Sequence, residues 1–180
     1  ALVAGNATTC VRISASDIRC VGSGSFGQLG DARVRRWKAP VAALFPLAAE
    51  LQMGGQHTCA RSDSSLQCLG FNGAGALGEG SNTRRLQLTD VIGSSGVGST
   101  LAASETQTCN FVAASNNSQC FGRNDSAQLG TAAATVQETT AVNAPLTGSG
   151  RQYLQIALGT FFGCALLAEN DGNGSVKRVR

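Results

Sequence analysis

Gly55-Gln56-His57-Thr58-Cys59-Ala60-Arg61-Ser62-Asp63-Ser64-Ser65-Leu66-Gln67-Cys68-Leu69-Gly70-Phe71-Asn72-Gly73-Ala74-Gly75-Ala76-Leu77-Gly78 decides the fold. His57 to Arg61 and Ser65 to Leu69 read as short strands, and the polar Ser62-Asp63-Ser64 between them reads as a turn. A hairpin follows, with one cysteine on each arm. The glycine-rich loop after it holds one leucine, Leu77, which is expected to be its buried anchor.

The same frame recurs along the chain, and fixed-period repetition is the mark of a repeat architecture. The first cysteine of each copy is Cys10, Cys59, Cys109 or Cys164, and the second is Cys20, Cys68 or Cys120. Two residues after the second cysteine stands Gly22, Gly70 or Gly122. Further on stand Leu29-Gly30, Leu77-Gly78 and Leu129-Gly130. The copies run approximately over 1–48, 49–98, 99–151 and an incomplete 152–180. In the last copy Arg178 falls in the place of the second cysteine and Arg180 in that of the following glycine. The chain is expected to be a single all-β array, with 31–50, 79–100 and 131–153 as exposed connections because they vary in sequence and length.

Composition fits short strands and tight turns. Charged residues make up 14% of the 180 residues and glycine contributes 23, too little charge and too much glycine for long surface helices. The net charge of +3 is small for a nucleic-acid binder, so no nucleic-acid partner is expected. No apolar run is long enough for a membrane-spanning helix. The opening Ala1-Leu2-Val3-Ala4-Gly5 lacks the charged leader of a signal peptide, so the chain is expected to be processed or a piece of a longer one.

Paired cysteines nine to eleven residues apart suit disulfides across adjacent strands better than zinc, which favours closer ligands and usually adds histidine. The expected bridges are Cys10–Cys20, Cys59–Cys68 and Cys109–Cys120. Cys164 is left as a free buried thiol or as a link to a partner chain. Four sequons, at Asn6, Asn116, Asn124 and Asn173, agree with a secretory, extracellular setting and are candidate glycosylation sites.

No residue is assigned to catalysis, to a cofactor or to a metal. Gly22-Ser23-Gly24-Ser25-Phe26-Gly27 spells a dinucleotide fingerprint, but its sister copies do not keep the spacing and no amphipathic helix follows. His57, the only histidine, has no repeated Asp, Ser or Cys partner and reads as a structural or surface residue. Asp171-Gly172-Asn173-Gly174 is hairpin-turn chemistry. Arg33, Arg35, Arg36, Trp37 and Phe45 form a candidate contact loop, since exposed aromatic side chains make good anchors, and the aromatics Trp37 and Phe45 read equally well as core.

The block from Gly55 to Gly78 resembles the regulator of chromosome condensation repeat. Phe26-Gly27-Gln28-Leu29-Gly30 matches that family's glycine-glutamine-leucine-glycine close, and Ala127-Gln128-Leu129-Gly130 matches it with one change. The resemblance implies blades of four antiparallel strands, arranged as part of a β-propeller. The chain departs from the pattern in holding only about half the blades, in adding paired cysteines, and in placing Val21, Leu69 and Phe121 where the family has tryptophan. A partial ring leaves strand edges open. The function expected is therefore a non-catalytic, extracellular protein-binding or structural module, part of a larger glycoprotein or surface assembly, completed by self-assembly or by further blades. The resemblance also allows a secreted inhibitor or ligand-capture protein. It allows, less readily, an exchange factor for a small GTPase, which paired cysteines and sequons disfavour.

Overall fold

The computed structural model describes residues 1–45, 48–94, 100–112, 117–131, 135–144, 151–170 and 175–179, with side chains described except over 151–154, 167–170 and 175–179. It is a row of antiparallel sheets. The first holds β1 (Leu2–Ala4), β2 (Thr8–Arg12), β3 (Ile18–Gly22) and β4 (Trp37–Ala42) in that order. The second holds β5 (Glu50–Met53), β6 (His57–Arg61), β7 (Leu66–Gly70) and β8 (Arg85–Asp90). The third holds β9 (Thr100–Ala103), β10 (Gln107–Val112), β11 (Asn117–Arg123) and β12 (Gln137–Ala144). The last has three strands, β13 (Arg151–Leu158), β14 (Gly163–Asn170) and β15 (Ser175–Val179). The first strands of successive sheets lie beside one another, as the inner strands of propeller blades do. No helix occurs among the described residues.

The hairpin read from the sequence forms in each full blade. Cys10 faces Cys20, Cys59 faces Cys68 and Cys109 faces Cys120. The turn at Ser62 closes as expected, with the Ser65 amide donating to the Ser62 hydroxyl at 3.1 Å. The glycine two residues after the second cysteine has a steric cause. The register with the fourth strand shifts at Gly22, Gly70 and Gly122, all with φ between 109° and 114°. A Cβ on Gly70 would lie 2.5 Å from the Gln56 carbonyl oxygen, so only glycine fits the bulge.

Three hydrophobic cores lie between the four blades, not within them. Each joins the cysteine-bearing face of one blade to the opposite face of the next. Cys10, Cys20 and Leu29 pack with Leu51, Met53 and Ala60. Cys59, Cys68 and Leu77 pack with Leu101 and Phe121. Cys109, Cys120 and Leu129 pack with Ile156. Leu29, Leu77 and Leu129 are 0 to 1% exposed and anchor their loops as expected.

Three expectations are corrected. The stretches 31–50, 79–100 and 131–153 are not simply connections: each carries the blade's fourth strand, β4, β8 or β12. Phe45 is not an exposed anchor. It is buried in the first core, its ring against Gly30, where an added Cβ would lie 2.8 Å from it. Arg178 does not face Cys164. The longer β14–β15 hairpin pairs Arg178 with Leu167 and Val179 with Leu166.

Candidate functional site

The sulfurs of Cys10 and Cys20 are 2.07 Å apart, those of Cys59 and Cys68 2.10 Å, and those of Cys109 and Cys120 2.14 Å. One disulfide thus ties the two middle strands of each full blade. Closing a loop of about ten residues restricts the unfolded chain by about 2.5–3 kcal/mol on the chain-entropy model. Cys164 is free and partly exposed.

The blades are also tied to each other by hydroxyls. In the second and third blades the residue before the first cysteine points toward the loop of the preceding blade. The Thr58 hydroxyl donates to the Gln28 carbonyl at 2.7 Å, and the Thr108 hydroxyl to the Ala76 carbonyl at 3.2 Å. His57 adds a second link between the second and third blades, its Nε2 lying 2.8 Å from Thr108 Oγ1. Since that hydroxyl donates to Ala76, the imidazole N–H is the donor to it. His57 is fully buried, and burial without a charged partner lowers its pKa from 6.5 to about 4. It is a neutral interblade residue, not a surface one. Gly54 makes room for it: a Cβ there would sit 2.1 Å from the ring.

The loops after β7 and β11 are pinned by Asn72 and Asn124. Asn72 Oδ1 accepts from the Leu77 amide at 2.9 Å, and its Nδ2 donates to the Ser81 carbonyl at 2.7 Å. Asn124 Oδ1 accepts from the Leu129 amide at 3.1 Å, while its Nδ2 donates to Thr131 Oγ1 at 3.1 Å. Asn124 is 3% exposed. A buried amide with both ends engaged has no room for a glycan, so Asn124 is withdrawn as a glycosylation site. Its equivalence to Asn72 was visible in the repeat frame, and the sequon hid it. Asn6 is exposed in the β1–β2 turn. Asn116 and Asn173 lie outside the described residues.

The glycines of the fingerprint-like stretch from Gly22 to Gly27 end β3 and shape the turn that follows, with no helix after it. Glu79 sits in the second loop. Burial alone would raise its pKa, but hydrogen bonds from the Ser81 hydroxyl and from Arg85, the latter at 2.7 Å, outweigh it and leave the carboxyl below its usual range.

Of the candidate contact loop, Arg33, Arg35 and Arg36 are exposed. Arg35 stacks over the half-buried Trp37 at 3.8 Å, and the Trp37 indole N–H donates to Asp31 at 2.6 Å. The loop therefore presents arginines on a fixed aromatic platform, with Phe45 beneath in the core.

The larger open surface is the outer face of the first blade. Leu2 pairs with Val11 there, as Leu51 pairs with Ala60 and Leu101 with Asn110 in the next two blades. The later pairs are buried by the preceding blade, whereas Leu2 is 70% and Val11 37% exposed. Nothing in the repeat frame distinguished these faces. The signal lies only in a blade's place in the row.

Among known proteins, no family model and no curated protein matches the sequence. Solved structures do match the fold. The crystal structure of human WBSCR16 superposes with a TM-score of 0.76 at 16% identity, over 93% of this chain and 44% of its own. Prp20p from Saccharomyces cerevisiae, whose structure was described with its binding properties to Gsp1p and histones, gives 0.76 at 16% identity, over 96% of this chain and 43% of its own. Yeast RCC1 (Prp20) bound to Kap60 gives 0.72 at 14% identity, over 96% and 42%. The fold is therefore that of a partial β-propeller with regulator of chromosome condensation type blades, and the chain spans less than half the length of these structures.

Proposed function

We propose that this chain is a non-catalytic protein-binding and structural module of the secretory pathway, forming part of a larger extracellular glycoprotein or assembly. The observation that carries it is the bare face of the first blade. Two sister blades bury the same positions, which supports a protein surface, further blades or a second copy, as what covers Leu2 and Val11. The exposure of an apolar sheet face invites pairing. That Prp20p binds Gsp1p and histones, and that yeast RCC1 binds Kap60, supports protein binding as the use of this fold. Disulfides persist in oxidising compartments, and three of them support the extracellular setting over an exchange factor's.

Light scattering on the unreduced chain should show association, and Val11→Lys should weaken it. A monomer indifferent to Val11→Lys would overturn the reading. Protein made through a secretory route should carry a glycan on Asn6 and none on Asn124, which peptide mass spectrometry would show. A second reading, a secreted capture or inhibitor protein, rests on the exposed arginines at 33, 35 and 36. It predicts a compact monomer whose partner is lost when all three are changed to alanine.

A further inference from the structure

A cavity of about 260 Å³ opens between the third and fourth blades. One residue beside it departs from the sister blades. Where the second and third blades have Thr58 and Thr108, the fourth has Gly163. The two threonines fill the space under the preceding loop with a methyl group and bond its carbonyl with a hydroxyl. Gly163 does neither: a Cβ built on it would lie 3.6 Å from the Gln128 carbonyl oxygen and 3.2 Å from Leu158.

The walls are Leu129, Ile156, Leu158, Phe161 and Phe162, and the Cys109–Cys120 disulfide also borders the space. Phe161 and Phe162 are 55% and 62% exposed at the mouth, whereas His57 and Gln107, at the position of Phe162 in the sister blades, are buried. The Arg123 guanidinium lies 5.3 Å from the Phe161 ring and steadies it from outside. No Asp, Glu, Lys or Arg lines the cavity. The Gln128 side chain is committed to its own turn, accepting from the Ser126 amide at 2.7 Å and donating to Asp125 at 3.2 Å. The Gln128 main-chain carbonyl, an acceptor, faces Gly163, and Ser126 and the free Cys164 also line the space.

We propose that this cavity is a binding site for a small neutral aromatic alcohol, whose ring lies among the phenylalanines and aliphatic walls and whose hydroxyl replaces the missing threonine hydroxyl at the Gln128 carbonyl. Absence of charged walls selects a neutral ligand, since an ion would be stripped of water without a partner. The acceptor facing Gly163 favours a ligand that carries a donor. An engineered apolar cavity of about 150 Å³ suffices for benzene, so a phenol-sized body fits.

Phenol and fluorobenzene are the probes, followed by ligand-observed NMR on the unreduced chain. Phenol should bind saturably, about fivefold or more tighter than fluorobenzene, which has the ring without the donor. Gly163→Thr restores the sister blades' residue and should weaken phenol at least about tenfold. Phe161→Ala, which removes one wall at the mouth, should weaken it by about two- to fivefold. A thermal melt shows whether each variant is folded. No saturable phenol binding below about 10 mM, equal binding by phenol and fluorobenzene, or unchanged affinity in folded Gly163→Thr would each overturn the assignment.

Discussion

The junction between the second and third blades and that between the third and fourth share one backbone plan and differ in how they are closed. In the first, Thr108 bonds the Ala76 carbonyl and accepts from the buried His57. In the second, Gly163 stands at the threonine position, Gln107 stands at the histidine position and donates to the Thr160 carbonyl at 2.7 Å, and a cavity opens beside them. The strand plan therefore does not set the tightness of a blade junction. The threonine just before the first cysteine contributes to it, because its hydroxyl reaches the loop of the preceding blade.

The largest expected difference comes from truncating the anchors. Leu77→Ala at the tight junction empties a fully buried site and should cost about 2–5 kcal/mol in denaturant unfolding. Ile156→Ala borders an existing cavity, so it loses its methyl groups with less new void and should cost less. Equal losses would mean that the cavity is packed in solution and that the contrast between junctions is not real.

A staple tests the same contrast from the other side. Cys164 holds the position of Cys10, Cys59 and Cys109, and continuing the register of Val179 with Leu166 by two pairs would set a residue added after Arg180 opposite it. Adding one cysteine there and oxidising with glutathione disulfide should close a fourth bridge, remove the free thiol and stabilise the chain by about 3 kcal/mol for a loop of about 15–20 residues. A thiol titration that still finds free cysteines would show that the β14–β15 register is different.

Acid should loosen the tight junction. His57 in the folded chain has a pKa lowered to about 4, against 6.5 when unfolded. The folded state keeps it neutral while the unfolded chain takes up a proton below about pH 6.5. Stability should therefore be flat above that pH, fall as pH drops, and level off near pH 4, by up to about 3 kcal/mol. His57 is the only histidine, so His57→Gln, the residue its sister blade carries as Gln107, should remove this slope between pH 6.5 and 4. A slope that survives His57→Gln would locate the titration in the carboxylates.

Much of this was legible in the residues before any coordinates, but unevenly. The hairpin and its leucine anchor repeat because each is set by side chains that must meet: Cys59 with Cys68, Leu77 with the next blade. The fourth strands were hidden because Trp37–Ala42, Arg85–Asp90 and Gln137–Ala144 are half-exposed edge strands held by backbone bonds, which leave no shared side-chain pattern. Phe45 stood open between anchor and core because its burial depends on Gly30, fifteen residues away in sequence. Arg178 was misplaced because hairpin register follows turn length, and β14 runs further past its cysteine than its sisters do. The threonine ties needed the row of blades itself, since each bonds a carbonyl of another copy.

The smallest effect separates the two threonines. The Thr58 hydroxyl ties its blade to the Gln28 carbonyl. Thr108 makes two ties, donating to Ala76 and accepting from His57. Replacing either by valine keeps the shape and removes the hydroxyl. Thr58→Val strands one buried acceptor and should cost about 1 kcal/mol. Thr108→Val strands an acceptor and the imidazole donor together, and should cost about 2 kcal/mol. In the His57→Gln background the two costs should draw closer, because a longer flexible amide can turn away from the missing partner. A double-mutant cycle on urea unfolding measures that coupling directly. Zero coupling between positions 57 and 108 would mean that the 2.8 Å contact contributes nothing, and that the tight junction owes its closure to the carbonyl ties alone.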